Sequence, residues 1–258
     1  MSINKLFDLT GKTALVTGGG QGIGKAIVLA LAENGANVVI NYRSNQSLAE
    51  QTACEAAQYG KKIWLWPFDL ESEQVLEAYR DFVEANNCHA DILVANASVQ
   101  IRKKWDEITN DEFAQQVNIN LRATLQLIQG VVPHMRQCGW GRILNIGSVQ
   151  QVRPHESMCV YAATKSALVN LVKNLAPQLA PFGINVNNLA PGVIATARTA
   201  GVLANPAYTK KVSESMIPVG YIGKPNDCAA LALLLCSDAS RYITGVDYLV
   251  DGGLGLCF

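Results

Sequence analysis

The sequence has no excess of charge of either sign: Lys plus Arg and Asp plus Glu each number 21 in 258 residues. A balanced chain has no overall field to draw it to nucleic acid or to an anionic membrane. Its only basic run, Arg102-Lys103-Lys104, is short enough to be a solvated loop. Long apolar stretches are missing too; the longest, CAALALLLC at 228–236, falls far short of the roughly 20 residues that span a bilayer. The opening MSINKLFDLTGK lacks the apolar core of a signal peptide, so the expected location is the cytoplasm. Charged residues are scarce at 16% and hydrophobic ones make up 49%, which excludes a disordered chain. Histidine occurs only at 89, 134 and 155, without the spacing of a zinc site, and no metal is expected. The seven cysteines (54, 88, 138, 159, 228, 236 and 257) contain no C-x-x-C pair and fit reduced thiols better than a disulfide framework. Repeats, low-complexity tracts and linkers are absent.

What is present is alternation. Short β-branched runs occur at 13–17, 37–41, 62–66, 91–95, 142–146, 184–189 and 247–250. Between most of them lie stretches of helical length and period, at 22–34, 46–59, 72–86, 111–137 and 159–180. Parallel neighbours need crossover connections, so this order predicts one doubly wound α/β domain over residues 1–258. Its expected form is a seven-stranded, mainly parallel sheet of Rossmann type with helices on both faces. Ligands of such sheets bind beyond the carboxyl ends of the strands. Pro177 and Pro181 are expected to kink or end the last long helix.

After the first strand comes TGGGQGIGKAI. Gly18, Gly22 and Gly24 stand where a strand turns sharply into a helix, and without a Cβ the backbone can approach a phosphate. The spacing is G-x3-G-x-G rather than G-x-G-x-x-G. The second strand ends Asn41-Tyr42-Arg43-Ser44 with no acid to receive ribose hydroxyls and repel a 2′-phosphate. Arg43 and Ser44 can cradle that phosphate, so NADP is expected in preference to NAD. Gln21, in the turn, is not the second basic residue that would strengthen the preference.

Tyr161 and Lys165, at i and i+4, share a helix face. A cation about 4 Å from a phenol is worth about 4 kcal/mol at an effective dielectric of about 20, enough to bring a group of pKa about 10 toward neutrality. Here the sequence closely resembles the short-chain dehydrogenase/reductase family, in its branch of about 250-residue single-domain members. TGGGQGIG at 17–24, including Gln21 and Ile23, is similar to the family's cofactor turn, and Asp69-Leu70 to its adenine-contacting pair. Asn120 in NINL, Ser148 in IGSV, and Tyr161 and Lys165 in YAATK resemble its catalytic tetrad in order and spacing. Pro191-Gly192 with Ile194 and Thr196 in PGVIAT resembles its nicotinamide loop, and ITGVDYLVDGG at 243–253 its C-terminal strand. Where the family usually reads NNAG, this chain has Ala95-Asn96-Ala97-Ser98. Asn96 and Ala97 keep the expected cofactor contact, while Ser98 adds a Cβ and a hydroxyl.

The resemblance implies that Tyr161 exchanges a proton with the substrate oxygen and Ser148 holds that oxygen. Lys165 would lower the pKa of Tyr161 and bind the nicotinamide ribose, and Asn120 would support a water linking Lys165 to solvent. It also implies a homo-oligomer, commonly a tetramer. Gln150, Gln151, Arg153 and His155 after Ser148, with Ser98, Gln100 and Arg102, predict a polar substrate pocket rather than one for a steroid or long acyl chain. A sugar, polyol or sugar acid fits, with Arg153 as carboxylate partner. Residues 193–217 are expected to form a lid, or else an ordinary pair of surface helices. The competing functions are a 3-oxoacyl-[acyl-carrier-protein]-type reductase and, in another class, a cofactor-sensing protein without turnover.

Overall fold

The computed structural model describes residues 2–256. Cys257, one of the seven cysteines, lies outside them; the six others are free thiols.

The alternating runs form β1 (Thr13–Thr17), β2 (Asn37–Tyr42), β3 (Ile63–Pro67), β4 (Ile92–Ala95), β5 (Gly141–Ile146), β6 (Ile184–Pro191) and β7 (Asp247–Val250). They make one sheet of order β3-β2-β1-β4-β5-β6-β7. All six pairings are parallel. The chain winds outward from β1 to β3, then returns to lay β4 against the other side of β1. That reversal opens a crevice beyond Thr17 and Ala95.

Strand side chains alternate between two cores. Ala14, Val16, Ile92 and Val94 pack under α1 (Gly22–Glu33), α2 (Gln46–Ala57) and α9 (Pro225–Leu235). Leu15, Leu93 and Ile143 face the other way, toward α3 (Val75–Asn86), α5 (Ala123–Cys138) and α6 (Cys159–Leu179). Burial on both faces explains why the central strands β1 and β4 are nearly continuous in apolar residues. Strands β5 and β6 bury Arg142, Asn145, Asn185, Asn187 and Asn188 among theirs.

Two helical expectations are refined. The stretch predicted as one helix at 111–137 is α4 (Asn110–Val117), a π-turn at Asn118–Arg122, and α5. A capping box starts α4, with Thr109 Oγ1 accepting from Glu112 N and Glu112 Oε2 from Thr109 N. Pro177 does not end α6, which runs on to Leu179, and Pro181 lies in the short turn Ala180–Phe182 beyond it. The segment 193–217 holds α7 (Ala197–Leu203), α8 (Pro206–Lys211) and a π-turn at Val212–Met216. No helix among the described residues is long and apolar enough to cross a membrane.

Candidate active site

A cleft of about 670 Å³ runs along the carboxyl ends of the strands. At its centre, the turn after β1 has φ +61° at Gly18 and +55° at Gly22, a left-handed backbone region that favours glycine. A Cβ on Gly24 would collide with the Gly18 carbonyl oxygen and lie 2.7 Å from Asn96 Nδ2. Asn96 binds the turn from β4: its Nδ2 donates to Thr17 O at 2.8 Å and to Gly18 O at 3.2 Å. Thr17 Oγ1 in return accepts from Asn96 N and Ala97 N, both at 2.9 Å. The turn leads into α1, whose N-cap residue Gln21 makes no side-chain cap. The 12-residue helix therefore presents uncapped N–H groups and its positive end to the cleft. These features fit the pyrophosphate of a dinucleotide.

At the adenosine end, Tyr42, Arg43 and Ser44 line the cleft with Asp69 and Leu70. Asn41 is buried and donates to Trp66 O and Phe68 O, joining β2 to β3 beneath them. At the other end lie Pro191, Gly192, Ile194 and Thr196.

Ser148, Tyr161 and Lys165 come together on the cleft wall. Ser148 caps a turn at Val149–Gln151, its Oγ accepting from Gln150 N at 3.2 Å. Tyr161 and Lys165 both lie in the first turns of α6, with the Lys165 Nζ 5.7 Å from the tyrosine ring centroid. That Nζ donates to Ile146 O at 2.8 Å, and the residue is 2% exposed. Burial, and after it the nearby Arg198 guanidinium, lower the Lys165 pKa to about 7. Lys165 is therefore less readily charged than the Y-x3-K pattern alone implies.

Two expected site residues sit elsewhere. Asn120, in the π-turn, does not line the cleft. Its Oδ1 accepts from Val99 N at 2.9 Å, and its Nδ2 donates to Val99 O and Thr164 Oγ1. A side chain so committed anchors the loop after β4 to α6. Gln151 also lies outside the cleft lining. Its Oε1 accepts from Ser148 N at 3.3 Å and its Nε2 donates to Asp247 Oδ2 at 2.6 Å, making it a prop behind the Ser148 turn. The prop continues through Asp247 Oδ1 to Asn188 and on to Asn145.

The other polar residues do reach the cleft, but mostly with one group already bonded. Gln150 Oε1 accepts from His155 N at 2.7 Å, and Gln100 donates to the Met158 sulfur. Arg153 Nη1 donates to Leu254 O at 3.0 Å, and its other guanidinium nitrogens make no hydrogen bond among the described residues. The residue missing from the sequence reading is Arg198, on α7. It crosses the cleft mouth to Ser98, with Nη1 donating to Oγ at 3.1 Å and Nη2 to the carbonyl at 2.7 Å. Ser98 keeps a negative φ, so its departure from the usual glycine leaves the backbone unstrained. The only hint of this contact in the sequence is a lone arginine two places after Thr196.

Comparison with known proteins agrees with this geometry. The family model described as enoyl-(acyl carrier protein) reductase matches residues 18–255. A gluconate 5-dehydrogenase of Gluconobacter oxydans is 34% identical over 255 residues, covering 98% of each chain. A 3beta-hydroxysteroid dehydrogenase of Eggerthella lenta is 33% identical over 250 residues, covering 96% of this chain and 95% of its own. Among solved structures, a gluconate 5-dehydrogenase from Burkholderia cenocepacia, in complex with NADP and tartrate, superposes with a TM-score of 0.92. It is 34% identical and covers 100% of both chains. The chain therefore belongs to the short-chain dehydrogenase/reductase family and is a nicotinamide-dependent oxidoreductase acting on a CH–OH/C=O pair.

Proposed function

We propose that the enzyme interconverts a sugar acid and its keto form with NADP(H). One observation carries the choice of substrate: the Arg198 fork at the cleft mouth bonds only to the neutral oxygens of Ser98. Among the described residues it has no carboxylate within salt-bridge distance. A guanidinium so placed binds a substrate carboxylate with two parallel hydrogen bonds. Its field reaches Lys165, so it lies within electrostatic range of the reacting centre. Arg198 joins Arg153 as a candidate carboxylate partner, while Gln100, Gln150 and His155 offer polar groups to the hydroxyls. The preference for NADP rests on Arg43 and Ser44 after β2, where no acid intervenes.

The nicotinamide, when bound, supplies or accepts the hydride. Tyr161 gives its proton to the carbonyl oxygen during reduction and takes it back during oxidation. Ser148 donates a hydrogen bond to the same oxygen and stabilises charge that develops on it. Lys165, held by Ile146 O, orients the nicotinamide ribose and returns the proton. The whole chain acts as one catalytic domain. By family resemblance it assembles as a cytoplasmic homotetramer, and sedimentation equilibrium would read its subunit number.

The deciding experiment supplies NADP and NAD separately with sugar acids, neutral sugars, a steroid alcohol and an acyl thioester. Sugar acids should turn over best and with NADP. Arg198→Met should raise their KM about tenfold or more while leaving neutral polyols little changed. Tyr161→Phe should cut kcat at least about 100-fold with NADP binding intact. Turnover confined to the steroid or the thioester would overturn the substrate reading. Full activity of Tyr161→Phe would overturn the catalytic one.

A further inference from the structure

The end of the sheet opposite the cofactor cleft, at the amino termini of its strands, holds a cluster that the reaction does not use. Asp91, just before β4, gives one oxygen to the fold: Oδ2 accepts from Thr13 N at 2.9 Å. The other, Oδ1, lies 3.4 Å from Nε2 of His134. One helical turn further along α5, Cys138 places its Sγ 3.5 Å from that same Nε2 and 3.9 Å from Nδ1. The donor atoms of the three residues all lie within 4.8 Å of one another.

Two kinds of chemistry use such a trio, and the geometry separates them. A proton relay sets the acid on one imidazole nitrogen and the thiol on the other, as in catalytic triads. Here both partners approach Nε2 most closely, and one ring nitrogen carries either a single hydrogen or a single lone pair. It cannot serve both at once, whereas a cation at a shared centre can. Tetrahedral zinc takes oxygen and nitrogen ligands at about 2.0–2.1 Å and sulfur at about 2.3 Å, which sets N and O about 3.4 Å apart and N and S about 3.6 Å apart. The observed separations are 3.4 and 3.5 Å. Sγ is also 3.9 Å from Nδ1 and so lies beside the imidazole ring; ligation requires the exposed Cys138 side chain to turn toward the Nε2 lone pair.

The surroundings suit a cation. His134 and Cys138 share one face of α5 by their i, i+4 spacing, and α5 ends at Cys138, where the helix dipole is negative. A carboxylate, a thiolate and a neutral imidazole together balance a divalent charge. Lys12 and Lys62 line the same shallow cleft, but Lys12 lies over the Trp140 ring, its Nζ 4.1 Å from the centroid. We propose that Asp91, His134 and Cys138 form a binding site for a divalent transition-metal ion, with zinc the best match to the donor set. Water or His89, whose ring stacks 4.8 Å from that of His134, completes the coordination. The site ties the start of β4 to the end of α5. It is structural, because it lies at the amino ends of the strands and the reaction lies at their carboxyl ends.

The test uses the full chain, stripped of metal by a chelator and titrated with zinc chloride against a chromophoric competitor, and separately with cobalt(II). One zinc should bind per chain and raise the melting temperature. The cobalt form should show a thiolate-to-metal charge-transfer band that Cys138→Ser abolishes. His134→Gln should weaken zinc binding by about tenfold or more. The exposed Cys54→Ser should bind as the parent does, and turnover should be unchanged in all three variants. Zinc uptake in the Cys138→Ser and His134→Gln variants equal to that of the parent would overturn the proposal. So would a cobalt complex without the charge-transfer band.

Discussion

Lys165 shows how burial alters the meaning of a motif. An unfolded lysine titrates near 10.5, whereas in the folded chain this one is lowered to about 7. Between those values the unfolded chain binds a proton that the folded chain does not, so this group makes stability rise with pH from about 7 upward. Below about 7 the cost of its buried charge is felt in full. The buried thiols act oppositely but later: Cys88 is pushed up to about 11 and Cys236 to about 12, so they count only where unfolded thiols ionise, near 9. Urea midpoints at about pH 7 and about pH 8.5 isolate the lysine. The parent should gain about 1 kcal/mol per pH unit from this group, and Lys165→Met should lose that slope. Equal slopes would show that Lys165 keeps its proton in the fold. The Y-x3-K spacing was legible in the sequence; the Ile146 carbonyl and the Arg198 field that act on it were not, because both come from distant parts of the chain.

Among the elements, the turn at Val149–Gln151 carries the most function for its length. It holds Ser148 through Gln151, and Asp247 at the start of β7 accepts from both Gln151 and Asn188 at 2.6 Å. Asp247→Ala leaves two amide donors without their acceptor, so stability should fall by about 2 kcal/mol or more. If the prop sets the position of Ser148, kcat should also fall by about tenfold while the NADP dissociation constant is unchanged. A loss of stability with unaltered kcat would limit Asp247 to a structural role. Strand and helix order could be read from periodicity because each element obeys a local repeat. The π-turn that carries Asn120 could not, since one inserted residue in a helix barely disturbs the apolar pattern.

For the whole molecule, the cleft gathers residues from the ends of most strands, so a bound dinucleotide links parts of the fold that otherwise open separately. At about 100 times its dissociation constant, NADP should stabilise the native state by about 3 kcal/mol and raise the melting temperature by about 5–10 °C. NAD at the same concentration should do less. A scan showing no shift with either dinucleotide would contradict the cleft assignment. The two cores that hold this sheet follow from the apolar side chains its strands present to both faces.

By itself the sequence determined the doubly wound sheet and the glycine turn, because each depends on local period or short spacing; Ser148, Tyr161 and Lys165 were legible only through their resemblance to the family's motifs. Only the tertiary structure decided which polar side chains meet. It turned Gln150 into the cleft and Gln151 behind it, closed Asn120 onto Val99, and brought Arg198 to Ser98 across 100 residues. It also brought Asp91, separated from His134 by 43 residues, against it at the amino ends of the strands. Contacts over such separations are set by strand register and helix packing, which no spacing along the chain encodes.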